Sequence, residues 1–334
     1  MTEVRAHCGI YLAHTLDELY PGLNSVSHRG REAFGIAGIG DRIDVLKAVG
    51  TPDSFSLKTL NRIFDRLYHT FIGHVRYATT GRKELEEMLQ DAHPITIEGD
   101  VHKRDDHLVI RDCRIVGVHN GQVNNEYFEG FDFGKLTTGT DTEKLLYLYD
   151  QIKEKEIMKR VPGSYTIIIA DRGRSDIIVM RDRTGIKPGV LGKKAGRFVV
   201  ASEDSALTDQ KVQFIEELRP GWVYYISADG TKAKPIKIIN AEPRHCFFEW
   251  NYIARVESTL SDLQVRRLRR ALGVKLAEEF MEEVNPNEID YVTFLPECPE
   301  EAAIPFAERL GKEYIEVFYK RDKERSFQGS NKSD

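Results

Sequence analysis

The sequence predicts an α+β protein in two unequal parts. Three observations carry that expectation. Short runs rich in β-branched and aromatic residues, bounded by Gly, Asp or Asn, dominate the first 240 of 334 residues. Three helical patterns interrupt these runs without alternating with them, which argues antiparallel sheets layered against helices. Beyond about residue 260 the order changes to one long amphipathic helix, then strand, helix and strand.

In chain order, the strand candidates are "CGIYLA", "FGIAGIG", "IDVLKAVG", "FIGHVRYA", "LVIRDCRIVGVHNG", "SYTIIIADR", "DIIVMRD", "RFVVASE" and "WVYYISADG". Helices are expected through "LDELYPGLNSVSHRG", "SLKTLNRIFDRLYHT" and "DTEKLLYLYDQIKEKEIMKRV", the last because Leu145, Leu148 and Ile152 recur at helical spacing. The aromatic-rich stretch "NAEPRHCFFEWNYIARVESTL" reads as a packed connection. In "SDLQVRRLRRALGVKLAEEFMEEV", Leu268, Leu272, Leu276 and Phe280 form the expected buried stripe and Ser261 the expected N-cap. Arginines crowd its first half and glutamates its second, which opposes the helix dipole by roughly a few tenths of a kcal/mol per charge. Two readings stand: a solvated face of i,i+4 pairs, or a neighbour that wants those arginines. Finally, "IDYVTFLP", "PEEAAIPFAERLG" and "EYIEVFYK" begin a βαβ unit without continuing it, and "RDKERSFQGSNKSD" has the composition of a disordered tail.

With 48 basic and 53 acidic residues the net charge is −5, so no basic excess points to nucleic acid. Cys8, Cys113, Cys246 and Cys298 lie far apart with no C-x-x-C pair, which fits neither a disulfide framework nor a zinc knuckle and suits a reducing cytoplasm. The polar start lacks a secretory core, and no run approaches the ~18 apolar residues of a membrane span. A cytoplasmic protein engaging neither membrane nor nucleic acid is expected.

Five short motifs carry chemistry: Cys8-Gly9, "SHRGREAFG" (27–35), "GHVRYATTG" (73–81), "HNGQVNN" (119–125) and "TGTDTEKLL" (138–146). Each has an ordinary reading. Cys8 fits a buried thiol in an edge strand, Arg76 a surface charge, Asp141 a helix N-cap, and Asn120-Gly121 a hairpin turn. In this order, however, they resemble the glutaminase domain of class II glutamine amidotransferases. The stretches "GSYTIIIADRGRSDIIVMRDRTGIKPGVLGKKAGRFVVASEDSAL", "ELRPGWVYYI" and "CFFEWNYIARVES" are most similar to the amidophosphoribosyltransferase family, which opens purine synthesis.

The resemblance implies an N-terminal-nucleophile αββα sandwich over residues 8–240, preceded by a propeptide at 1–7. It implies a linker and helix at 241–283, a truncated phosphoribosyltransferase-like segment at 284–322 and a disordered tail at 323–334. Cys8 becomes the nucleophile once "MTEVRAH" is removed, its own α-amine serving as base. Asn120 and Gly121 form the oxyanion hole, Arg76 takes the carboxylate of L-glutamine, and Asp141 takes its ammonium. Arg29, Gly30, Tyr77 and Thr79 line the same pocket. A synthase or phosphoribosyltransferase subunit accepting ammonia, and a homo-oligomer, are the implied partners.

No cofactor is expected. His93, His102, His107 and His119 fall in separate segments without the paired spacing of a zinc site. Cys246 stands where iron–sulfur members of the family carry one cluster ligand, with no other ligand in sight. After residue 284 no acidic pair precedes a Gly/Thr-rich phosphate cradle. Three functions stay open: a glutaminase feeding a separate synthase, an amidophosphoribosyltransferase whose other half is supplied elsewhere, and a glutamine-binding sensor.

Overall fold

The computed structural model describes residues 8–77, 84–296 and 299–319. The chain divides into two compact units, Met1–Cys246 and Phe247–Asp334.

The first unit is a mixed α/β body built on two antiparallel sheets. Across the larger, nine strands run in the order Gln213–Glu217, Val190–Lys194, Arg197–Ala201, Gly9–Ala13, Tyr68–Arg76, Ala33–Gly40, Ile43–Val49, His107–Cys113 and Asp100–Lys103. The smaller has six: Ala233–Lys237, Trp222–Ile226, Ile177–Arg181, Ser164–Asp171, Ile115–Gln122 and Ile95–Ile97. Among the described residues five helices accompany them: α1 (Leu16–Ser25), α2 (Leu57–Ile63), α3 (Leu85–Asp91), α4 (Asp141–Arg160) and α5 (Asp204–Asp209).

The period-2 rule explains why the strands read as unbroken apolar runs. In Gly9–Ala13, Ile10 and Leu12 join the core between the sheets, whereas Tyr11 and Ala13 join the core beneath α1, α2 and α5. Ser164–Asp171 divides likewise: Ile168 and Ala170 face the other sheet, and Ile167 and Ile169 face α4. Both faces are covered, so no polar alternation is needed. Cys8 therefore precedes an interior strand, paired on both sides, and not an edge strand.

Two local expectations are corrected. The helix expected through "SLKTLNRIFDRLYHT" stops at Ile63, and Tyr68 onward pairs in the sheet, because Tyr68 and Phe71 pack edge-on around Phe64. The N-cap of α4 is Thr140, whose Oγ1 accepts the Glu143 N–H at 3.3 Å, and not Asp141.

In the second unit, α6 (Val265–Glu283) packs against α7 (Glu300–Leu310), and two-residue strands Tyr291–Val292 and Glu313–Tyr314 pair in parallel. Ser261 is not a helix cap. It and Asp262 have φ of 49° and 62° and form the turn between Thr259–Leu260 and Leu263–Gln264, where a two-residue hairpin of the right twist needs two left-handed residues. The buried stripe of α6 is Val265, Arg269, Gly273 and Ala277, while Leu276 is 52% exposed. Gly273 is the reason: a Cβ there would sit 2.0 Å from the Ala302 carbonyl oxygen, so α7 lies directly on it and the leucines are pushed to the flanks. No helix among the described residues is long and apolar enough to cross a membrane.

Candidate active site

Cys8 is buried at the head of its strand. Burial pushes its thiol up, an effect only partly offset by the Tyr77 backbone N–H and the charges of Arg76, Lys187 and Arg29. Arg29 is wholly buried. Its Nε donates to the Cys8 carbonyl at 3.1 Å, and its Nη1 donates to Glu203 Oε1 at 2.5 Å, an oxygen that also meets His28 Nε2 at 2.9 Å. A guanidinium braced by a carboxylate thus fixes the backbone of Cys8. Gly30 lets this segment lie against the next motif, since a Cβ there would fall 2.4 Å from the Arg76 carbonyl carbon.

Arg76 ends the Tyr68–Arg76 strand. Its Nη1 donates to Glu32 Oε2 at 3.1 Å, and its Nη2 lies 3.7 Å from Asp91 Oδ2 at the end of α3. Asp91 also accepts the Gly139 N–H at 3.0 Å, which ties the fifth motif to the third. Asp141 accepts the Val123 N–H at 2.7 Å through Oδ2, and its Oδ1 lies 3.7 Å from His119 Nδ1. Thr79 and Gly81 lie outside the described residues, as do residues 1–7, Cys298 and the tail.

Asn120 and Gly121 sit inside the Ile115–Gln122 strand, opposite Thr166 and Tyr165, so the hairpin-turn reading of this dipeptide is wrong. Asn120 is fully buried, yet neither Nδ2 nor Oδ1 has a hydrogen-bond partner. Buried amides are almost always paired, and leaving one unmade costs about 1–3 kcal/mol. His119 Nε2 and Ser164 Oγ, beside it in sequence and on the adjoining strand, are unpartnered as well. The two sheets meet here, because His74 Nε2 lies 3.2 Å from the His119 carbonyl, two residues before Arg76 on one strand and one before Asn120 on the other.

A glutamine amidotransferase domain family matches residues 95–209. The chain is 31% identical to the amidophosphoribosyltransferase of Archaeoglobus fulgidus over 94% of its own length and 67% of that protein. The chain belongs to the amidophosphoribosyltransferase family. The Methanocaldococcus jannaschii amidophosphoribosyltransferase is 29% identical over 94% of the chain and 69% of that protein. Among solved structures, the glutamine phosphoribosylpyrophosphate amidotransferase from B. subtilis, complexed with ADP and GMP, superposes with a TM-score of 0.76 at 25% identity, covering 98% of this chain and 69% of that one. The chain thus spans about two thirds of these relatives.

In this amidophosphoribosyltransferase-family chain, several site groups carry no motif of their own. Lys187 is fully buried, and its charge acts on both Cys8 and His119. Its backbone is pinned by Arg181 Nε and Thr166 Oγ1, each donating to the Lys187 carbonyl at 3.0 Å. Glu203, the counter-charge of Arg29, lies 174 residues away in sequence. His93 and His119, expected in unrelated segments, instead converge on Thr142 Oγ1, each at 2.8 Å, with the His74 ring stacked 4.3 Å from His93. Burial lowers all three imidazoles, His74 to about 3, so the trio is neutral. No group of three His, Cys, Asp or Glu among the described residues could hold a metal ion. Cys246 is a partly exposed free thiol.

Proposed function

We propose that the chain hydrolyses L-glutamine to glutamate and ammonia with Cys8 as nucleophile, and that the ammonia passes to a phosphoribosyltransferase-type or other synthase partner. The observation that carries this reading is the buried, unpartnered amide of Asn120. An amide N–H held in a dry site without a protein acceptor is arranged for an oxygen that becomes negative only during reaction.

In the reaction so assigned, residues 1–7 are removed and Cys8 carries a free α-amine of reference pKa near 7.7–8.0. The amine takes the thiol proton, Sγ attacks the side-chain carbonyl, and the oxyanion is held by Asn120 Nδ2 and the Gly121 N–H. The same proton leaves with the nitrogen as ammonia, and water then cleaves the thioester to glutamate. Arg76 grips the substrate carboxylate, which must compete with Glu32 for the guanidinium, and Asp141 grips the ammonium. The layering of helices on two facing sheets supports reading the first unit as an N-terminal-nucleophile sandwich. The parallel pair joined through α7 supports reading the second as the start of a phosphoribosyltransferase-like domain.

Glutamate release from glutamine alone tests the assignment. Cys8→Ala should abolish it while circular dichroism stays unchanged, and a folded Cys8→Ala protein with undiminished turnover would falsify it. The relatives' name favours phosphoribosyl pyrophosphate as the final nitrogen acceptor. Phosphoribosylamine formed by the chain without a partner would make it a complete amidophosphoribosyltransferase. Glutamine binding without any glutamate release would make it a sensor.

A further inference from the structure

A cavity of about 300 Å³ lies where the Ile43–Val49, His107–Cys113 and Asp100–Lys103 strands meet the Ile95–Ile97 strand, α3 and the first turns of α4. None of the residues assigned to glutamine lines it. Its polar anchor is Lys47, 3% exposed, whose ammonium spends one of three donors, on the Gln90 carbonyl at 2.9 Å. Burial lowers Lys47 to about 8, with Cys113, Asp91 and Glu143 raising it, so at neutral pH it still carries most of its charge. A buried, under-bonded ammonium costs free energy unless an acceptor reaches it.

The neighbouring carboxylates have partners of their own: Glu86 pairs with Lys103 at 2.9 Å and Glu98 with Arg114 at 2.7 Å. Glu143 takes the N–H and hydroxyl of both Thr137 and Thr138 at 2.7–3.1 Å, and Asp91 takes Gly139 and faces Arg76. The apolar part of the wall is formed by Leu89, Leu108, Ile110 and Tyr147, with Val101 62% exposed at the rim, and Thr96, Glu86, Glu98 and Lys103 supply its polar part. With Lys103 paired to Glu86 at the exposed edge, Lys47 is the buried cation with donors to spare, and beside the apolar wall it matches a small amphipathic anion.

We propose that this cavity is a second ligand site, taking a small monocarboxylate with an apolar body whose carboxylate binds Lys47, and that its occupancy is felt at the glutamine site through α3. The route is short: Lys47 holds the carbonyl of Gln90, and the next residue, Asp91, faces Arg76 and holds Gly139. A carboxylate that draws the ammonium off Gln90 loosens the end of α3 on which Asp91 is carried. This coupling rests on the glutamine reading of Arg76, whereas the binding site does not.

Calorimetric titration of the full chain with sodium hexanoate tests the site. Saturable binding is expected at one site per chain. It should weaken at least tenfold in Lys47→Met and again in Val101→Trp, which blocks the rim without entering the core and should melt within a few degrees of the unaltered chain. Absence of saturable binding, or equal affinity in Val101→Trp and the unaltered protein, overturns the site. For the coupling, saturating hexanoate should shift the glutamine KM at least twofold in the unaltered chain and leave Val101→Trp unmoved; an unmoved KM in the unaltered chain overturns it. The isotherm needs no turnover, so failure of the glutaminase reading would leave the binding result decisive.

Discussion

In the proposed reaction the chemistry turns on the amide of Asn120. A buried amide without a partner costs free energy in the folded state, and on the proposed assignment an oxyanion accepting from Nδ2 recovers that cost at the moment of reaction. Asn120→Ala should therefore lower kcat for glutamate release by about 10²–10³ while KM moves little, because the proposed reaction assigns ground-state binding to Arg76 and Asp141. A large KM rise with kcat preserved would assign Asn120 to substrate binding. Gly30 matters for the opposite reason: its space is already taken by the Arg76 backbone, so Gly30→Ala should cost about 1–3 kcal/mol by overpacking and raise the glutamine KM through a displaced Arg76. Denaturant midpoints and steady-state kinetics read both. At this scale the motif residues were legible, because "HRG", "HVRY" and "HNG" keep their chemistry within a few consecutive positions. Lys187 and Glu203 were not, since a buried lysine or glutamate has no local pattern and acquires meaning only from a partner on another strand. The convergence of His93 and His119 on Thr142, with His74 stacked on His93, was hidden for the same reason.

Among the elements, strands were readable from their apolar runs, and the start of α4 was off by one cap residue. The long helix α6 was misread more instructively. Four leucine and phenylalanine positions form an apparent stripe, but helix packing is decided by how close two backbones can come, and Gly273 brings α7 onto the neighbouring face. The same contact accounts for the arginines placed against the dipole. Arg266 lies 3.4 Å from Glu301, and Arg270 lies 3.9 Å from Glu301 and from Glu308, all across on α7. The arginines are about half exposed and the separations long, so these pairs select the partner helix more than they stabilise it. Arg269 points inward instead, donating to the Trp250 and Ala254 carbonyls at 2.8 Å each. Gly273→Ala sets two effects against each other. Helix propensity should gain about 1 kcal/mol, while a methyl group driven into a backbone carbonyl should lose about 1–3 kcal/mol. The clash should win and lower the urea midpoint of the second unit; a raised midpoint would mean that α7 can yield.

For the whole molecule, the neutral histidine trio between the two sheets makes stability depend on pH. In the unfolded chain each imidazole titrates near 6.5, whereas burial keeps the folded ones neutral to lower pH, His93 well below the usual range and His74 to about 3. Above pH 6.5 both states are neutral and the contribution is intact. Below it the unfolded state binds protons that the folded state refuses, so stability falls by up to about 1.4 kcal/mol per histidine per pH unit. Chemical denaturation should show the midpoint dropping steeply from pH 6.5 to 5, with less of a drop in His74→Gln. A midpoint flat over that interval would mean the cluster takes up protons when folded.

The most direct test of the account is the intact mass of protein that is turning over glutamine, recorded before and after a glutamine analogue bearing a diazoketone in place of the amide. The account predicts a chain beginning at Cys8 that gains one adduct, on Cys8, in step with loss of glutamate release. Full activity in a chain still carrying Met1 to His7, or inactivation with the adduct on another residue, would contradict it.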